Sequence, residues 1–202
     1  MAELDHLVLA VPDLDAALPG LAARLGAPAV PGGAHPGWGT RNALVGLGPG
    51  AYLEIIGPDP AQDVERRAFG VDAVPGPTLV AWAVRPGVGE TFEALVAGAG
   101  AAVGPVRAMS RRRTDGRELH WRLTEPRVGP MPFLIDWGAT PHPAAELPAA
   151  AELRSLALSD PVPDALSGTL RWMGLAESVS AGDPRITAVL RRVSGALVEL
   201  DG

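Results

Sequence analysis

Two ionisable side chains lie inside strand-like apolar segments, where a charge needs a partner. His6 lies in the segment formed by residues 4–11, and Glu54 alternates with Tyr52 and Ile56 further along the chain. Burying the Glu54 carboxylate would cost on the order of several kcal/mol unless a metal ion, an arginine or a raised pKa compensates it. A histidine in a strand is usually structural, so His6 alone does not identify a function.

A second carboxylate of the same kind, Asp136, lies between Ile135 and Trp137 at the end of another apolar segment. Its charge can serve a functional site, as that of Glu54 can. Alternatively, Asp136 caps the turn into Gly138 or binds an arginine. The sequence leaves both interpretations open.

Residues 35–42, HPGWGTRN, have the composition of a ligand-binding loop. The glycines let the backbone approach a ligand closely, and Trp38 offers a flat apolar surface. Arg41 can bind a carboxylate or phosphate through two parallel hydrogen bonds. We therefore predict ligand contacts for His35, Trp38, Arg41 and Asn42. The alternative is a structured loop that enters a strand, with Arg41 paired to a protein carboxylate.

Further candidates are histidines and tryptophans in later segments. His120 and Arg122 share one face of a predicted strand, where Arg122 is expected to face solvent and His120 either solvent or a cleft. Trp82 and Trp137 are either core residues or part of a pocket lining. We include His120 and Trp82 among the predicted ligand-binding residues. His142 lies in a proline-rich link and is interpreted as a loop residue.

These side chains are positioned by three segments with the same order of elements: strand, proline, helix, glycine, then further strands. The opening strands are predicted at residues 4–11, 78–84 and 152–158. The helices are predicted at residues 13–25, 89–97 and 162–173. The closing strands are predicted at 40–47 and 51–56, at 102–109, 117–123 and 132–137, and at 176–180, 186–193 and 196–200. The first helix is capped by Asp13, and residues 28–39 form a loop. Such a repeat, at about 75 residues, indicates one architectural unit used three times.

Two links suggest the domain organisation. Residues 139–151 are rich in proline and alanine, and residues 57–77 form a weaker boundary. We predict a domain at residues 1–143, with paired modules at about 1–57 and 78–138. Residues 144–202 are predicted to form a third module that packs on this domain or on a dimer partner.

The composition excludes several classes of chemistry. The chain has neither cysteine nor lysine, which excludes disulfides, thiolate nucleophiles, Schiff bases and a Walker-type phosphate loop. The net charge of −6 and a pI of about 5.2 disfavour a nucleic-acid partner. We expect no nucleotide cofactor.

The sequence predicts a cytoplasmic protein without a membrane partner. No segment approaches the roughly 20 apolar residues of a membrane helix, and the N-terminus lacks the basic region of a signal peptide. The single basic run, residues 111–113, precedes a Thr-Asp-Gly hairpin signal at 114–116. We interpret this run as a solvated turn.

Five segments carry a recognisable family pattern: LDHLVLAVPDLDAA, HPGWGTRNALVGLG, AYLEIIGP, LHWRL and PFLIDWG. With them, residues 3 to 143 resemble the glyoxalase-like branch of the vicinal-oxygen-chelate superfamily, and the third unit resembles it more loosely. The resemblance implies an α+β fold of repeated βαβββ modules whose mixed, curved sheets enclose a cleft, with the helices outside. It also implies a small-molecule ligand and, in metal-dependent members, one divalent ion held by the first and last strands of paired modules.

Carried over position by position, the resemblance implies His6 and Glu54 as metal ligands or as a proton-transferring pair, with Asp136 as a third ligand. The first strand of the second module offers only Val80, Ala81 and Trp82, so the four-ligand pattern of the family is broken. One histidine with two carboxylates would suit a hard, oxygen-preferring ion.

Three functional hypotheses remain. The first is a metal-assisted lyase, isomerase or dioxygenase acting on a small oxygen-rich, anionic molecule. The second is a metal-free protein that sequesters a small molecule, and the third is a structural or interaction role. Because such modules cover one another in pairs, the odd third module also leads us to predict a homodimer.

Overall fold

The computed structural model describes residues 1–112 and 116–202, with the side chain of Arg112 excepted. The first unit comprises β1 (Ala2–Ala10), α1 (Leu14–Leu25), β2 (Val30–His35), β3 (Thr40–Gly46) and β4 (Tyr52–Pro58). Asp13 caps α1 as predicted, because its carboxylate accepts a hydrogen bond from the Ala16 amide at 3.1 Å. Gly26 ends the helix in the left-handed conformation, with φ of 78°.

The second unit has the same element order and pairs with the first. It comprises β5 (Thr78–Pro86), α2 (Phe92–Ala99), β6 (Val106–Arg112), β7 (Glu118–Thr124) and β8 (Phe133–Asp136). The two units form one eight-stranded sheet in the order β2-β3-β4-β1-β5-β8-β7-β6. In each unit the first strand runs parallel to the last, and β1 joins β5 antiparallel at the centre. The end strands β2 and β6 contact each other, so the sheet curves almost into a closed barrel.

The third unit keeps the element order but changes the strand order. It comprises β9 (Ala151–Asp160), α3 (Pro163–Met173), β10 (Ser178–Ala181), β11 (Arg185–Arg192) and β12 (Leu197–Asp201). Here the first strand lies inside a four-stranded sheet ordered β10-β9-β11-β12, parallel to β10 and antiparallel to β11. In each of the first two units the opening strand instead pairs with the last strand of that unit, β1 with β4 and β5 with β8.

The two faces of the eight-stranded sheet belong to different apolar clusters. The convex face shares one hydrophobic core with the helices and with the four-stranded sheet; its members include Leu7, Leu53, Trp82, Leu158 and Ile186. The concave face has its own smaller apolar cluster. The third unit therefore packs on the outside of the sheet, and the hollow on the other side belongs to the first two units. The predicted α+β fold, with curved sheets around a cleft and helices outside, is confirmed.

Most predicted elements are found within a few residues of the expected positions, with two corrections. Residues 30–35 form β2, although their sequence VPGGAH predicts a loop. Antiparallel pairing with β3 supplies the hydrogen bonds that local propensity does not favour. The interpretation of residues 111–113 as a solvated turn is wrong for Arg111, which is 6% exposed at the end of β6. Of the hairpin signal expected at residues 114–116, residues 114 and 115 lie outside the described residues, as does residue 113 of the basic run.

None of the helices in the described part of the chain is long and apolar enough to cross a membrane. Three short 3-10 turns complete the architecture at Ala68–Gly70, Gly100–Ala102 and Pro143–Ala145. The first of them lies beside the mouth of the hollow, and the third belongs to the link between the second and third units.

Candidate functional site

The concave face encloses a cavity of about 50 Å³, which is room for a few water molecules or a small ligand group. Its polar lining comes from both units of the sheet: His6, His35, Tyr52, Glu54 and Arg111. Its apolar lining is mainly aromatic: Trp38, Phe69, Trp121, Phe133 and Trp137. A concave, mostly apolar lining with a few converging polar groups is the usual form of a ligand site.

The structure brings His6 and Glu54 together inside this cavity. They lie on the parallel neighbours β1 and β4, two residues out of register, because His6 pairs with Tyr52 and Glu54 pairs with Val8. The His6 Nε2 atom is 3.5 Å from Oε2 of Glu54, and both side chains are buried. The imidazole stacks on the Tyr52 ring at a centroid distance of 4.7 Å. Strand alternation therefore does place the two side chains on one face.

The residue before His6 orients its ring. Asp5 Oδ1 lies 2.7 Å from Nδ1 of His6, although successive strand residues normally point to opposite faces. A bulge permits this contact, since Leu4 pairs with Val84 and His6 with Ala83, which leaves Asp5 without a partner on β5. The sequence gives no sign of the bulge, and Asp5 is therefore not among the site residues predicted from the sequence.

Asp5 is fully buried and accepts hydrogen bonds from three segments of the chain. Besides His6, its donors are His142 Nε2 at 2.9 Å and Trp137 Nε1 at 3.1 Å, and Arg85 lies 3.8 Å away. Burial alone would raise the pKa of Asp5, but the hydrogen bonds from His142 and His6 hold it well below its ordinary value. Asp5 is therefore a carboxylate at neutral pH.

These contacts assign the tautomers of both histidines. The Ala144 amide donates to Nδ1 of His142, so the proton of that ring is on Nε2 and is donated to Asp5. Facing the ionised Asp5, Nδ1 of His6 carries a proton as well. In the tautomer that donates from Nδ1 to Asp5, the lone pair of His6 is on Nε2 and faces Glu54 and the cavity, which is the arrangement of a general base. His142, interpreted from sequence as a loop residue, belongs to this network.

The second oxygen of Glu54 has two further neighbours from the first unit. Asn42 Nδ2 donates to Oε1 of Glu54 at 2.5 Å, and His35 Nε2 lies 3.7 Å from the same atom. His35 also bonds Thr40 Oγ1 through Nδ1 at 3.0 Å. Burial lowers the pKa of His35 despite the nearby carboxylate, so His35 is neutral. Burial raises the pKa of Tyr52, which keeps its hydroxyl protonated.

Arg111 brings a positive charge to the same cavity from the second unit. Its Nη1 donates to Oδ1 of Asn42 at 3.2 Å. In the sheet, Met109 pairs with Trp121 and Arg111 with Leu119, so Arg111 shares the face of Trp121. Because side chains alternate along a strand, Arg111 is expected on the same face as Met109. The run of three arginines before a turn signal led instead to the prediction of a solvated turn.

The structure does not bring Asp136 to the cavity, which corrects the three-ligand expectation. Phe133, Ile135 and Trp137 line the cavity, so the alternation of β8 turns Asp136 to the opposite side. There it accepts hydrogen bonds from Arg122 at 2.5 Å and from the Gly138 amide at 2.9 Å. Burial alone would raise the pKa of Asp136, but the bond from Arg122 lowers it. Asp136 therefore both caps the turn into Gly138 and binds an arginine, which are the two alternatives to a functional role that its sequence context allows.

Three other predicted ligand-binding residues also lie elsewhere. Arg41 turns away from the cavity and pairs with Asp15 at 2.8 Å. Trp82 is fully buried in the convex-side core and donates to the Pro130 carbonyl. His120 is exposed on the outside of β7, as the alternation with Trp121 requires. His35 and Trp38 do line the cavity, and Asn42 is hydrogen-bonded to Glu54 and Arg111, which also line it.

The residues present do not fit the divalent ion that the family resemblance implies. His6 and Glu54 converge, but the cavity positions of β8 carry Phe133 and Ile135. Within residues 1–112 and 116–202, no three side chains of His, Cys, Asp or Glu gather in a way that could hold a metal ion. A stable site needs at least three protein ligands as a rule.

Comparison with known proteins identifies a family and solved structures of similar fold. A family model described as a glyoxalase-like domain matches residues 4–174. The chain is similar to the crystal structure of a hypothetical protein from Staphylococcus aureus, with a TM-score of 0.66 and 14% identity over 99% of this chain and 98% of that chain. This likeness shows a shared fold. A search of curated proteins found no match.

Similarity to methylmalonyl-CoA epimerases is partial. For the enzyme from Mycobacterium tuberculosis the TM-score is 0.42 at 22% identity, covering 65% of this chain and 84% of that chain. For a Streptomyces coelicolor methylmalonyl-CoA epimerase the TM-score is 0.45 at 20% identity, covering 68% and 96%.

Proposed function

The chain belongs to the glyoxalase-like domain family of the vicinal-oxygen-chelate superfamily, and from this premise we propose that it is an enzyme of the isomerase or lyase type. Its reaction moves a proton on a small oxygen-bearing molecule. His6 is the general base, and Glu54 is its partner. One observation supports the proposal above all: Asp5 fixes the protonated Nδ1 of His6, which leaves Nε2 facing Glu54 in an enclosed cavity.

The proposed step is the removal of a proton from a carbon next to a carbonyl group. The Nε2 lone pair of His6 takes the proton, and the electrons of the broken C–H bond form an enolate. Asp5 and Glu54, one on each side of the ring, stabilise the imidazolium by their opposite charge. Glu54, 3.5 Å from Nε2, provides a second group through which the proton returns to the same or a neighbouring carbon.

The surroundings favour such a transfer. The ring of Phe133 meets His6 edge-on at 5.4 Å, and Tyr52 covers the other side, so the imidazole has little freedom to rotate. The mainly aromatic lining leaves room for only a few water molecules, which strengthens the charge interactions inside the cavity. General acid–base catalysis by a positioned side chain contributes about 10²- to 10⁴-fold.

Exchange of carbon-bound hydrogen in D₂O tests this proposal. Pyruvate, methylglyoxal, acetoacetate and acetylacetone are incubated with the protein, and loss of the C–H signal is followed by proton NMR. We expect accelerated exchange of at least one compound, and a decrease of about 100-fold or more in His6→Gln and Glu54→Gln.

The matched control is His120→Gln, which removes an exposed histidine outside the cavity and should leave exchange unchanged. Circular dichroism confirms that each variant is folded. The proposal fails if folded His6→Gln or Glu54→Gln exchanges as fast as the wild type, or if the wild type accelerates none of the compounds.

A divalent ion bound by His6 and Glu54 is the competing proposal, and metal analysis distinguishes it. We expect protein purified without chelators to contain less than stoichiometric metal, and exchange to be unaffected by EDTA. Loss of exchange in EDTA, with recovery on addition of one divalent ion, would show instead that His6 and Glu54 act as ligands.

Ligand sequestration without catalysis is the second candidate function, and the aromatic lining favours it. Trp38, Trp121 and Trp137 would report binding through their fluorescence. Sequestration predicts tight binding that Trp38→Ala weakens and Glu54→Gln does not, together with no hydrogen exchange in any compound.

A further inference from the structure

Arg111 is a buried cation in a cavity where the family resemblance leads one to expect a metal. Arginine is seldom buried to this degree unless it interacts with polar or charged groups. Arg111 is only 6% exposed, and it lines the cavity together with His6 and Glu54. It comes from the second unit, whereas the histidine and the carboxylate come from the first.

The sheet holds the guanidinium in place through Asn42. The Asn42 side chain accepts from Arg111 at 3.2 Å and donates to Glu54 at 2.5 Å, so the amide bridges the two charges. Asn42 therefore links Arg111 of the second unit to Glu54 of the first unit at the cavity.

A glycine makes room for this arrangement. A Cβ atom at Gly32 of β2 would lie 2.6 Å from Nη1 of Arg111 and would overlap Oδ1 of Asn42. Because Gly32 lacks a side chain, the end strand β2 can come close to β6 where Arg111 meets Asn42.

The charge of Arg111 is felt across the cavity. Burial is the main cause that lowers the pKa of His35, and Glu54 opposes it by raising this pKa. Arg111 lowers the pKa of His35 further. It also opposes the rise in the pKa of Tyr52 that burial causes. Arg111 therefore acts electrostatically on two other residues that line the same cavity.

We propose that Arg111 takes the role of the missing metal cation and binds the anionic oxygens of a small carboxylate ligand. The guanidinium holds the carboxylate through hydrogen bonds and charge, and an enolate formed at the neighbouring carbon is stabilised by the same charge. The inference rests on the proposed function for the orientation of the ligand, whose C–H bond faces His6. The cavity of about 50 Å³ limits the enclosed part to a few heavy atoms, as in a 2-oxo acid.

Pyruvate and its neutral amide, pyruvamide, test the charge requirement. Each is titrated against the wild type, and binding is followed by quenching of tryptophan fluorescence. We expect pyruvate to bind at least tenfold more tightly than pyruvamide, and Arg111→Met to weaken pyruvate binding at least tenfold.

The matched control is Arg107→Met on the same strand, where Arg107 is exposed and paired with Glu125. It should bind pyruvate like the wild type. If Arg111→Met does not fold, Arg111→Lys replaces it: lysine keeps the charge but cannot form two parallel hydrogen bonds, so binding should weaken at least threefold.

Equal binding of pyruvate and pyruvamide would overturn the inference, as would unchanged pyruvate binding in folded Arg111→Met or in Arg111→Lys. Failure of pyruvate to bind the wild type would overturn it as well. Glu54→Gln separates this inference from the proposed function: it should bind pyruvate at least as well as the wild type because a negative charge is removed, while hydrogen exchange is lost.

Discussion

At the residue scale, the site depends on a buried carboxylate that does not itself line the cavity. Asp5 selects the tautomer of His6 and holds its ring, and the hydrogen bonds from His142 and His6 keep Asp5 itself ionised. A neutral histidine can present either nitrogen to its surroundings, and the partner of one nitrogen decides which. Asp5 is thus a positioning residue for the proposed base.

Asp5→Asn should destabilise the protein in a pH-dependent way. The pKa of Asp5 is lowered in the folded state, so its ionisation stabilises the fold above the unfolded value of about 3.9 and this contribution is lost as pH falls further. We expect the variant to lose about 1–3 kcal/mol at pH 7. The difference from the wild type should shrink below about pH 4, as measured by urea unfolding at several pH values.

Asp15→Asn serves as the control, because Asp15 is an exposed carboxylate paired with Arg41 and should have far less influence on stability. A difference between Asp5→Asn and the wild type that stays constant from pH 7 to pH 3 would contradict the assigned ionisation of Asp5.

The candidate site could be predicted only in part from residue types. Alternation along β1 and β4 is enough to place His6 and Glu54 on one face. Alternation along β8 places Asp136 on the face opposite to its neighbours Ile135 and Trp137, which line the cavity. The sequence does not show which of the two faces is concave, because the curvature of the whole sheet decides that. Asp5 was beyond prediction because a bulge in β1 has no sequence signature here.

At the element scale, the helices of the second and third units pack against each other at a glycine. A Cβ atom at Gly98 in α2 would overlap the indole ring of Trp172 in α3. Glycine normally destabilises a helix interior by about 0.5–1 kcal/mol relative to alanine. Its presence in α2 is explained by the close approach of the two helices.

Two glycine-to-alanine substitutions should therefore have opposite effects. Gly98→Ala forces the half-exposed indole of Trp172 to move, and the packing lost should cost about 1 kcal/mol. Gly168→Ala in α3 meets open space and should stabilise by up to about 1 kcal/mol through helix propensity. Thermal unfolding of both variants measures the contrast, and a stabilised Gly98→Ala would refute the packing argument.

Elements with strong periodicity or capping signals were predicted well, and those that depend on pairing were not. Asp13 and Gly26 delimit α1 within a residue of the prediction. β2 was missed because two glycines and a proline oppose strand formation locally, and only β3 stabilises the extended chain. With β2 missed, the placement of His35 in the cavity could not be derived from its strand.

At the scale of the whole molecule, the third unit covers the convex face of the sheet. Leu7 and Trp82 of that face belong to the same core as Leu158 and Ile186 of the four-stranded sheet. The apolar face of the third unit is thus buried within one chain. This removes the reason that the odd module count gave for a homodimer, which stays a prediction to be tested by sedimentation.

A chain that ends at residue 150 should fail to form a stable soluble protein, because the convex face would be exposed to water. We expect aggregation, or binding of a hydrophobic dye without a cooperative unfolding transition. A soluble truncated chain that unfolds cooperatively would instead support residues 1–143 as an independent domain.

The hydrogen bond from His142 to Asp5 has a consequence for the order in which the protein matures. His142 lies in the segment that leads from the second unit to the third, so it reaches Asp5 only when that segment has settled against the sheet. Until then Asp5 has one donor fewer, and the imidazole of His6 is held less firmly. Newly made chains should therefore acquire a competent base late, after the last third of the polypeptide has left the ribosome and docked.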